Sequence, residues 1–473
     1  MTLHPLPVIV DLDGTLTPVD TLHELAIASI NKAPAPAILT LVRLPFNKPL
    51  QKRHLAALAP DYPASLPWSS SVAVWLESNR SEQVILCTAS AQEVALRVAS
   101  LHGGFSEALG SDGATNLKGP SKADRLVSRF GRRGFSYVGN SWADVPVWSA
   151  AARAVVVSND QELIAKAREV CPYVEVLAPE PRNRWVDFVR ALRPHQWVKN
   201  LLVFLPFLAS HSFERGDLLL STVVAFAVFC LLASASYLVN DLLDLHADRL
   251  HPVKRLRPIA AGALDALAAA GMSAMLASAA LAFAAVQSPA LLMVALAYLF
   301  LATAYSRWLK RIAFLDVGLL AGLYTSRLWA GSAATEIWPS PWLSGFSLAL
   351  FVSLALCKRF VEYRRLGSAG ETNPSRGYTT VQLSAIRRIG IFAHFSAVGV
   401  LAAYLSSQNV VELYGRPLML VPAPLVVAFW GFRVWRLAAQ GRVDEDPVIF
   451  ALRDRVSWLC LGALASIFIA ALG

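Results

Sequence analysis

The chain has 473 residues, of which 55% are hydrophobic and 16% are charged, and its formal net charge is +10. A soluble globular protein carries about 25% charged residues, so this composition argues against a wholly soluble chain. The apolar residues concentrate after Trp197, which places the main boundary near residues 180–195. The positive charge does not indicate nucleic-acid binding, because the lysines and arginines gather in short segments between apolar runs.

An apolar run near the N-terminus leads directly into an acidic motif. Residues 7–10 are followed by Asp11-Leu12-Asp13-Gly14-Thr15, which predicts a buried strand and then a tight turn. This DxDGT motif resembles the nucleophile loop of the haloacid dehalogenase (HAD) superfamily, over about residues 1–175. The resemblance implies that Asp11 attacks phosphorus, and that Asp13 protonates the leaving oxygen and then activates water.

Later stretches follow in the order typical of that superfamily. A second apolar strand begins at Val84 and leads to Thr88, which we expect to bind phosphate through its hydroxyl. Lys122 is the expected cation beside the phosphate. The long insertion between the two strands contains helical segments such as Thr21–Ile30 and predicts a small helical cap, where the substrate is selected. The region 1–177 is therefore predicted to be an α/β, Rossmann-like HAD domain.

The fourth stretch departs from the pattern of the superfamily. Residues 137–144 resemble a GDxxxD motif, so the resemblance implies that Asp11, Asp13 and Asp144 bind magnesium. Asn140 stands where the first acid of that motif belongs, which removes one negative charge. This difference leaves phosphatase activity open, and a degenerate structural domain is the alternative.

The N-terminus has neither a basic segment nor a long apolar stretch, so we expect no signal peptide and a cytoplasmic N-terminal domain. A linker over residues 178–195 starts with a proline-rich polar stretch and continues into Trp185–Leu192, which mixes apolar and charged residues. This second part is either a stiff spacer or an interfacial helix on the membrane.

The region 196–473 predicts a multi-pass membrane domain, because each span needs about 20 apolar residues. Cytoplasmic loops are expected at 240–265, 306–311, 359–387 (with Arg376) and 437–450, and they hold most of the loop lysines and arginines. The opposite loops hold only Arg215 and Arg416. This asymmetry predicts a protein of the cell inner (plasma) membrane with a cytoplasmic N-terminal domain. The nine predicted spans are 198–212, 217–239, 266–287, 290–305, 312–331, 342–358, 388–406, 418–436 and 451–472.

The segment after the second predicted span is rich in acids and bases. On a continuous helix, Asp241, Asp244 and Asp248 fall within an arc of about 60°. Three carboxylates on one face repel one another unless a cation lies among them, and magnesium prefers such oxygen ligands and shares them with phosphates. The pattern therefore predicts a magnesium–diphosphate site. The bases expected to neutralise phosphate follow at once: Lys254, Arg255 and Arg257.

The patterns NDxxDxxxD and HPxKRxRPIAxG over 240–262 resemble the UbiA superfamily of intramembrane prenyltransferases, and the resemblance covers about 190–473. It implies an all-α domain of nine transmembrane helices. Within the superfamily, the likeness is to the branch of decaprenyl-phosphate phosphoribosyltransferases. Three further stretches support that branch: 193–200, 305–310 and 445–455. The resemblance also gives further candidates for substrate binding: Lys199, Asn240, Tyr305 and Lys310.

The loop at Tyr305–Arg311 is basic, whereas aromatic prenyltransferases of this superfamily carry a second Asp-rich motif there. A basic loop suits an additional phosphate better than a second metal cluster, which favours phosphoribosyl diphosphate as a substrate. We therefore expect Mg²⁺-dependent transfer of 5-phosphoribose to a polyprenyl phosphate, with Asp241 and Asp244 in the catalytic site. Removal of the 5-phosphate by the N-terminal domain is expected to follow.

Two other functions remain open from the sequence. One is an aromatic-acceptor prenyltransferase with a regulatory HAD-like domain, which the missing second Asp-rich motif disfavours. The other is a transporter or lipid-binding protein, which would leave the cluster of acids and bases unexplained. The expected partners are the two substrates and the membrane, with no nucleic acid; the sequence leaves homo-oligomerisation and the polyprenyl chain length open.

Overall fold

The computed structural model describes residues 6–79, 83–369, 382–443 and 446–472. The chain forms two compact units. The first contains Met1–Leu192 and Asp241–Met272, and the second contains Arg193–Asn240 and Ser273–Gly473. A segment between two predicted spans therefore belongs to the same unit as the N-terminal region. Arg376 and Glu445, which the sequence placed in cytoplasmic loops, lie outside the described residues.

The N-terminal region is built on a six-stranded parallel sheet with the strand order β3-β2-β1-β4-β5-β6. Strand β1 is buried along its whole length, as is typical of a parallel strand covered on both faces. Its central residue Ile9 lies between Ile85 and Tyr137 of the neighbouring strands. The predicted α/β architecture of this region is confirmed. The strands are β1 (Val8–Val10), β2 (Val84–Ala91), β3 (Glu107–Ser111), β4 (Ser136–Gly139), β5 (Arg153–Val157) and β6 (Tyr173–Leu177).

Four helices fill the insertion between β1 and β2, and we call them the cap. The cap begins where the Asp20 carboxylate accepts a hydrogen bond from the backbone N–H of Leu22 at 2.9 Å, which satisfies the first turn of α1. Leu25 and Leu55 of the cap are buried together with Leu12 and Leu16 of the loop after β1. The cap helices are α1 (Thr21–Lys32), α2 (Pro34–Arg43), α3 (Lys48–Leu58) and α4 (Ser70–Ser78).

The remaining helices of this region alternate with the strands. They are α5 (Gln92–His102), α6 (Pro120–Phe130), α7 (Val145–Ala150), α8 (Gln161–Val170) and α9 (Arg184–Leu192). Helix α9 falls in the predicted linker. It buries Ala191 but leaves Trp185 and Val189 exposed, so its apolar face has few neighbours among the described residues.

The rest of the chain is helical. It begins with a 3-10 helix over Pro194–Phe204. One short helix, α12 (Leu245–Leu250), belongs to the first unit. The α-helices are α10 (Leu205–Ala209), α11 (Gly216–Leu243), α12 (Leu245–Leu250), α13 (Ala266–Gln287), α14 (Pro289–Arg307), α15 (Leu315–Thr335), α16 (Pro341–Ala369), α17 (Leu383–Leu405), α18 (Gln408–Leu413), α19 (Ala423–Ala439), α20 (Pro447–Arg453) and α21 (Arg455–Leu472).

Among the described residues, seven helices are long and apolar enough to cross a membrane, and the predicted count of nine is not confirmed. The predicted span 198–212 is instead a 3-10 helix followed by the five-residue α10, with Pro206 at the junction. The predicted span 312–331 is helix α15, which is long enough but contains Asp316 and Arg327. The seven are α11, α13, α14, α16, α17, α19 with the turn before it, and α21.

Candidate active sites

The carboxyl edge of the sheet collects the residues that the sequence singled out in the N-terminal region. Asp11 directly follows β1, Thr88 lies in the second half of β2, and Asn140 directly follows β4. These three strands are neighbours, and the carboxyl ends of neighbouring parallel strands are the usual position of a ligand site in such sheets. Thr88 is fully buried, and its hydroxyl oxygen accepts a hydrogen bond from the backbone N–H of Ser90 at 3.1 Å.

A buried chain of polar contacts begins at Asp11. The ammonium group of Lys122, near the start of α6, lies 2.7 Å from Asp11 Oδ1 and 2.8 Å from the Tyr137 hydroxyl. That hydroxyl donates to Asp144 Oδ1 at 2.8 Å. The structure therefore brings Lys122 to Asp11 and adds Tyr137 as a link to Asp144.

Burial raises the pKa of Asp11 to about 7, although the Lys122 ammonium opposes the shift. Burial alone would lower the pKa of Lys122, but the carboxylates of Asp11 and Asp144 outweigh it and raise that pKa above its ordinary value. Lys122 therefore stays charged, whereas Asp11 titrates near neutral pH. A group that changes protonation in this range suits chemistry at physiological pH.

Asp13 lies where the cap meets the sheet. Its Oδ1 accepts a hydrogen bond from the backbone N–H of Thr21 at 2.9 Å, at the first residue of α1. Burial raises the pKa of Asp13, and the nearby carboxylate of Asp20 adds to the shift. A raised pKa favours the protonated form, which is the form that a general acid needs.

The Asp144 carboxylate accepts hydrogen bonds from the turn that precedes it. Its Oδ2 accepts hydrogen bonds from the backbone N–H groups of Asn140 (3.1 Å) and Ser141 (3.0 Å), and from the Ser141 hydroxyl (2.9 Å). Asn140 Oδ1 accepts from the Thr15 hydroxyl at 3.1 Å. Gly14 adopts φ +73°, and a Cβ there would lie 2.2 Å from Asn140 Nδ2, so only glycine fits beside this amide.

Lys52 is a residue of this edge that the sequence did not indicate, because no motif surrounds it in the cap. Its ammonium donates to the backbone oxygen of Ala89 at 2.6 Å and to Asn116 Oδ1 at 3.0 Å. Burial lowers its pKa, while Asp13 and Asp20 oppose the shift. Helix α3 of the cap thus carries a cation to the site.

A second group of acids lies at the end of α11. The sequence predicted one continuous helix through Asp241, Asp244 and Asp248, and this prediction is wrong. Helix α11 ends at Leu243, Asp244 is the residue between the helices, and α12 carries Asp248. The helical path is nearly kept, since the backbone N–H of Asp248 still donates to the Asp244 oxygen at 2.8 Å.

Arg257 joins two of these acids. Its Nη1 lies 3.1 Å from Asp241 Oδ1 and 2.5 Å from Asp248 Oδ2, and both carboxylates are buried. Burial raises the pKa of Asp248, although the Arg257 guanidinium opposes the shift. The sequence predicted that Arg257 neutralises phosphate, whereas in this structure it neutralises the two carboxylates. Lys254 and Arg255 lie in the 3-10 turn just before it, and the Arg255 side chain is exposed.

Neither group of acids forms a closed metal cluster. Over the described ranges, no three His, Cys, Asp or Glu side chains gather closely enough to hold one metal ion. The structure thus brings Asp11 to Lys122, and Asp241 and Asp248 to the same nitrogen of Arg257. Carboxylate oxygens are nevertheless the kind of ligand that magnesium prefers.

Arg249, next to Asp248, contacts the cap. Its guanidinium forms an ion pair with Glu24 of α1, and both side chains are buried. It also donates to the backbone oxygens of Ser65 at 2.9 Å and Ala260 at 3.1 Å, and the Tyr62 hydroxyl donates to Glu24 at 3.3 Å. The sequence counted Arg249 only as a positive charge of a cytoplasmic loop.

Other contacts extend this attachment of the segment 241–272 to the N-terminal region. His23 Nδ1 lies 2.9 Å from Asp265 Oδ2, and Arg182 donates to the backbone oxygen of Gly262. Gly262 adopts φ +68°, and a Cβ there would lie 2.7 Å from a methyl group of Val19. The backbone of the acid-rich segment therefore packs directly on the loop that leads into the cap.

The second unit holds the remaining predicted residues. The Lys199 ammonium lies 2.5 Å from Asp446 Oδ2, and the Lys358 ammonium lies 3.4 Å from the same oxygen. Lys199 is buried, and Asn200 beside it accepts a hydrogen bond from Arg327 of α15 at 2.9 Å. Lys358 and Arg327 were missed by the sequence reasoning, because they lie inside long apolar stretches.

Tyr305 belongs to a second polar group in this unit. Its hydroxyl accepts a hydrogen bond from Arg359 at 2.9 Å, and Arg359 Nε lies 2.5 Å from Asp316 Oδ2. Lys310 is buried in the 3-10 turn after α14. Asn240 lies in the last turn of α11 and is half-buried.

Comparison with known proteins identifies the family. The model of the UbiA prenyltransferase family matches residues 201–453. "Uncharacterized protein y4nM" of Sinorhizobium fredii is 35% identical over 99% of this chain and 91% of that protein, so the alignment includes the N-terminal region. "Decaprenyl-phosphate phosphoribosyltransferase" of Mycobacterium tuberculosis is 33% identical over 63% of this chain and 97% of that protein. A solved UbiA homolog from Archaeoglobus fulgidus, bound to GPP and Mg²⁺, is 17% identical with a TM-score of 0.46 and covers 59% of this chain and 99% of that one. This chain is a multi-pass membrane protein that belongs to the UbiA prenyltransferase family.

Proposed function

We propose that this chain transfers 5-phosphoribose from phosphoribosyl diphosphate to a polyprenyl phosphate at the cytoplasmic membrane face. The observation that carries the proposal is the buried group in which Arg257 joins Asp241 and Asp248. Buried acids and bases next to membrane spans are expensive and mark functional sites. The similarity to decaprenyl-phosphate phosphoribosyltransferase of Mycobacterium tuberculosis supports the choice of substrates.

In the proposed reaction, a phosphate oxygen of the polyprenyl phosphate attacks the anomeric carbon of the ribose. The bond from that carbon to the diphosphate breaks, and the diphosphate leaves with the bonding electron pair. The leaving group is already good, so the protein mainly positions the substrates and neutralises charge. Lys254, Arg255 and Arg257 are the cations proposed for the diphosphate, and Lys199, Tyr305 and Lys310 are the groups proposed for the other phosphates.

The donor set of the acid-rich segment fits magnesium. Asp241, Asp244 and Asp248 offer hard oxygen ligands, and Mg²⁺ is usually held by one or two carboxylates together with substrate phosphates. When bound, the ion supplies positive charge to the departing diphosphate. Arg257 keeps Asp241 and Asp248 neutralised and turns to the diphosphate when the substrate arrives.

The test is to supply purified protein with labelled phosphoribosyl diphosphate and decaprenyl or undecaprenyl phosphate. Mass spectrometry should detect a lipid-extractable phosphoribosyl product that is absent for Asp241→Asn and in the absence of magnesium. The same preparation should not prenylate an aromatic acid. Prenylation of the aromatic acid without a phosphoribosyl product would instead establish the aromatic-acceptor function.

For the N-terminal region, we propose a HAD-like phosphatase that removes the 5-phosphate of the lipid product. The Asp11–Lys122 pair and the raised pKa of Asp13 support this assignment. Asp11 attacks phosphorus, and Asp13 protonates the ribose oxygen as it leaves. Asp13 then takes a proton from water, which releases phosphate from Asp11. Tethering both activities in one chain raises the local concentration of the first product at the second site.

Asp11→Asn should accumulate the 5-phosphorylated lipid, because the amide cannot attack phosphorus. The assay should contain no other phosphatase, and Asp160→Asn on the surface is a control for the loss of one carboxylate. A fully dephosphorylated product from Asp11→Asn would exclude this role while leaving the transferase proposal intact.

We further propose that the membrane domain follows the nine-helix arrangement in the inner membrane, with a cytoplasmic N-terminal region. Helix α15 and the helical segment 194–209 supply the two elements beyond the seven apolar helices. The polar side chains of these elements have partners within the unit, in the Asp316–Arg359 ion pair and the Arg327–Asn200 hydrogen bond. The arrangement is tested by introducing single cysteines into loops 213–216 and 437–442 and adding a thiol reagent that does not cross the membrane. The two cysteines should react from opposite sides of the membrane.

A further inference from the structure

The cap exposes an apolar surface on helix α2. Ile38, Leu39, Val42 and Phe46 are 51%, 47%, 71% and 97% exposed, and we call these four residues the α2 surface. The three helical members are spaced i, i+1 and i+4, so they share one side of α2, and Phe46 follows just after the helix ends. Ala37, on the opposite side, is the buried residue of this helix.

Positive charge surrounds the α2 surface. The chain has no Asp or Glu from residue 25 to residue 60, whereas this stretch contains five lysines and arginines. Arg43, Lys48 and Arg53 are exposed, while Lys32 is paired with Asp61 and Lys52 points into the cap. An exposed apolar surface beside unopposed basic residues is typical of elements that lie in the interface of an anionic membrane.

The cap is also attached to a segment of the chain that joins two apolar helices. Helix α1, which packs against α2, forms the ion pair Glu24–Arg249 and the His23–Asp265 contact with the segment 241–272. That segment joins α11 to α13, two of the helices that are long and apolar enough to cross a membrane. The cap is therefore attached to a connection between two spans.

We propose that the α2 surface docks onto the anionic phospholipid bilayer, with its apolar side chains in the acyl boundary and its basic residues at the lipid phosphates. Long-range attraction by Arg43, Lys48 and Arg53 brings the cap to the surface, and burial of the four apolar side chains holds it there. The cap has no acidic residue between Glu24 and Asp61 that would repel the anionic lipids.

The docking also defines how a substrate reaches the phosphatase site. Helix α3 follows the α2 surface directly and carries Lys52, whose ammonium lies at the carboxyl edge of the sheet. A cap that rests on the bilayer keeps this edge within reach of a phosphate ester whose lipid chain remains in the membrane. This part rests on the proposed phosphatase function, whereas the docking itself does not.

The docking is tested by fluorescence quenching on the full chain in lipid nanodiscs that contain phosphatidylglycerol. The five native cysteines are all buried, so a fluorophore can be attached selectively to Phe46→Cys. The matched control is Val74→Cys on α4, which is 62% exposed on the same domain. Nitroxide-labelled lipid should quench the Phe46→Cys label several-fold more than the control, and aqueous iodide should show the reverse order.

Two results would overturn the proposal. Equal iodide quenching at both positions would show that the α2 surface lies in water. A label at Phe46→Cys that is protected from both quenchers, and that self-quenches between molecules, would show that a second copy of the chain covers it. Replacing phosphatidylglycerol by phosphatidylcholine should reduce the lipid quenching, and unchanged quenching would contradict the role of the basic residues.

A catalytic readout distinguishes docking from the phosphatase function itself. The pair of substitutions Val42→Asp and Phe46→Asp should lower the rate on a lipid-linked phosphate ester by about tenfold and leave the rate on p-nitrophenyl phosphate unchanged. If the substituted chain no longer docks but hydrolyses the lipid substrate as fast as the unsubstituted chain, docking does not serve catalysis. Absence of hydrolysis by the unsubstituted chain would refute the phosphatase function without affecting the quenching result.

Discussion

Arg249 forms a buried ion pair with Glu24, although 225 residues separate them in the chain. Arg249 shares the short helix α12 with Asp248, which contacts Arg257. The position of one proposed magnesium ligand is thus tied to a residue of the cap. This contact links the two proposed activities of the protein physically.

Glu24→Gln should impair the transferase through this link. Removing one partner of a buried ion pair leaves the other charge uncompensated and costs about 3–5 kcal/mol. We expect α12 to detach from the cap, which should raise the KM for phosphoribosyl diphosphate more than it lowers kcat. Hydrogen exchange of residues 245–263 should increase at the same time. Asp61→Asn, which breaks the exposed pair with Lys32, is the control, and identical exchange in both variants would contradict the prediction.

Arg257→Gln should change the response of the transferase to magnesium. Without the guanidinium, Arg257 no longer competes with magnesium for the carboxylates of Asp241 and Asp248, so the magnesium concentration for half-maximal rate should fall several-fold. The maximal rate should fall about 10- to 100-fold, because the diphosphate loses a neutralising cation. Diphosphate release at graded magnesium measures both, with exposed Arg442→Gln as the control. An unchanged magnesium response would show that Arg257 does not compete with the ion.

Asn140→Asp should increase the phosphatase activity. The substitution adds a carboxylate, at nearly the same volume, to the edge of the sheet that also carries Asp11, and the Thr15 hydroxyl can donate to it as it does to the amide. An added carboxylate ligand strengthens the binding of a hard divalent cation. Hydrolysis of p-nitrophenyl phosphate should therefore reach half-maximal rate at lower magnesium, and Asn159→Asp on the surface should have no effect. A decrease in affinity for magnesium would contradict a ligand role at this position.

The pKa of Asp11 predicts a pH dependence of stability in the magnesium-free protein. Burial raises this pKa from 3.8 to about 7, so the folded chain binds one more proton than the unfolded chain between these values. The contribution of this group to stability is present at low pH and is lost as the pH rises from about 4 to about 7. Thermal unfolding in chelator should show this loss in the unsubstituted chain, and Asp11→Asn should remove it. Equal pH dependence of both proteins would contradict the shifted pKa.

Local patterns in the sequence were sufficient for several elements. The apolar run before Asp11 predicted β1, and the cap helix at Thr21 is confirmed and extends to Lys32. These elements depend on residues close in sequence. The order of the motifs gave Lys122 as the expected cation beside the phosphate, and the structure places its ammonium group beside Asp11.

Long-range pairing explains what the sequence did not predict. A hydropathy pattern shows Arg249 and Arg257 only as positive charges in a loop. It does not show that Arg249 pairs with Glu24 or that Arg257 pairs with Asp241. The count of nine spans relied on apolar length, which did not indicate that residues 194–209 form a 3-10 helix followed by the short helix α10. The hydrogen bond that the Asp144 carboxylate accepts from the backbone of its own turn likewise depends on backbone geometry, which a motif does not specify.

The first unit is discontinuous in the chain, and this has a consequence for biosynthesis. The ribosome releases the N-terminal region first, but Arg249 and Gly262, which complete its surface, emerge only after α11 has been made. Glu24 and Val19 therefore meet Arg249 and Gly262 only after α11 has been synthesised. The first unit thus becomes complete only after the ribosome has made a helix that is long and apolar enough to cross a membrane.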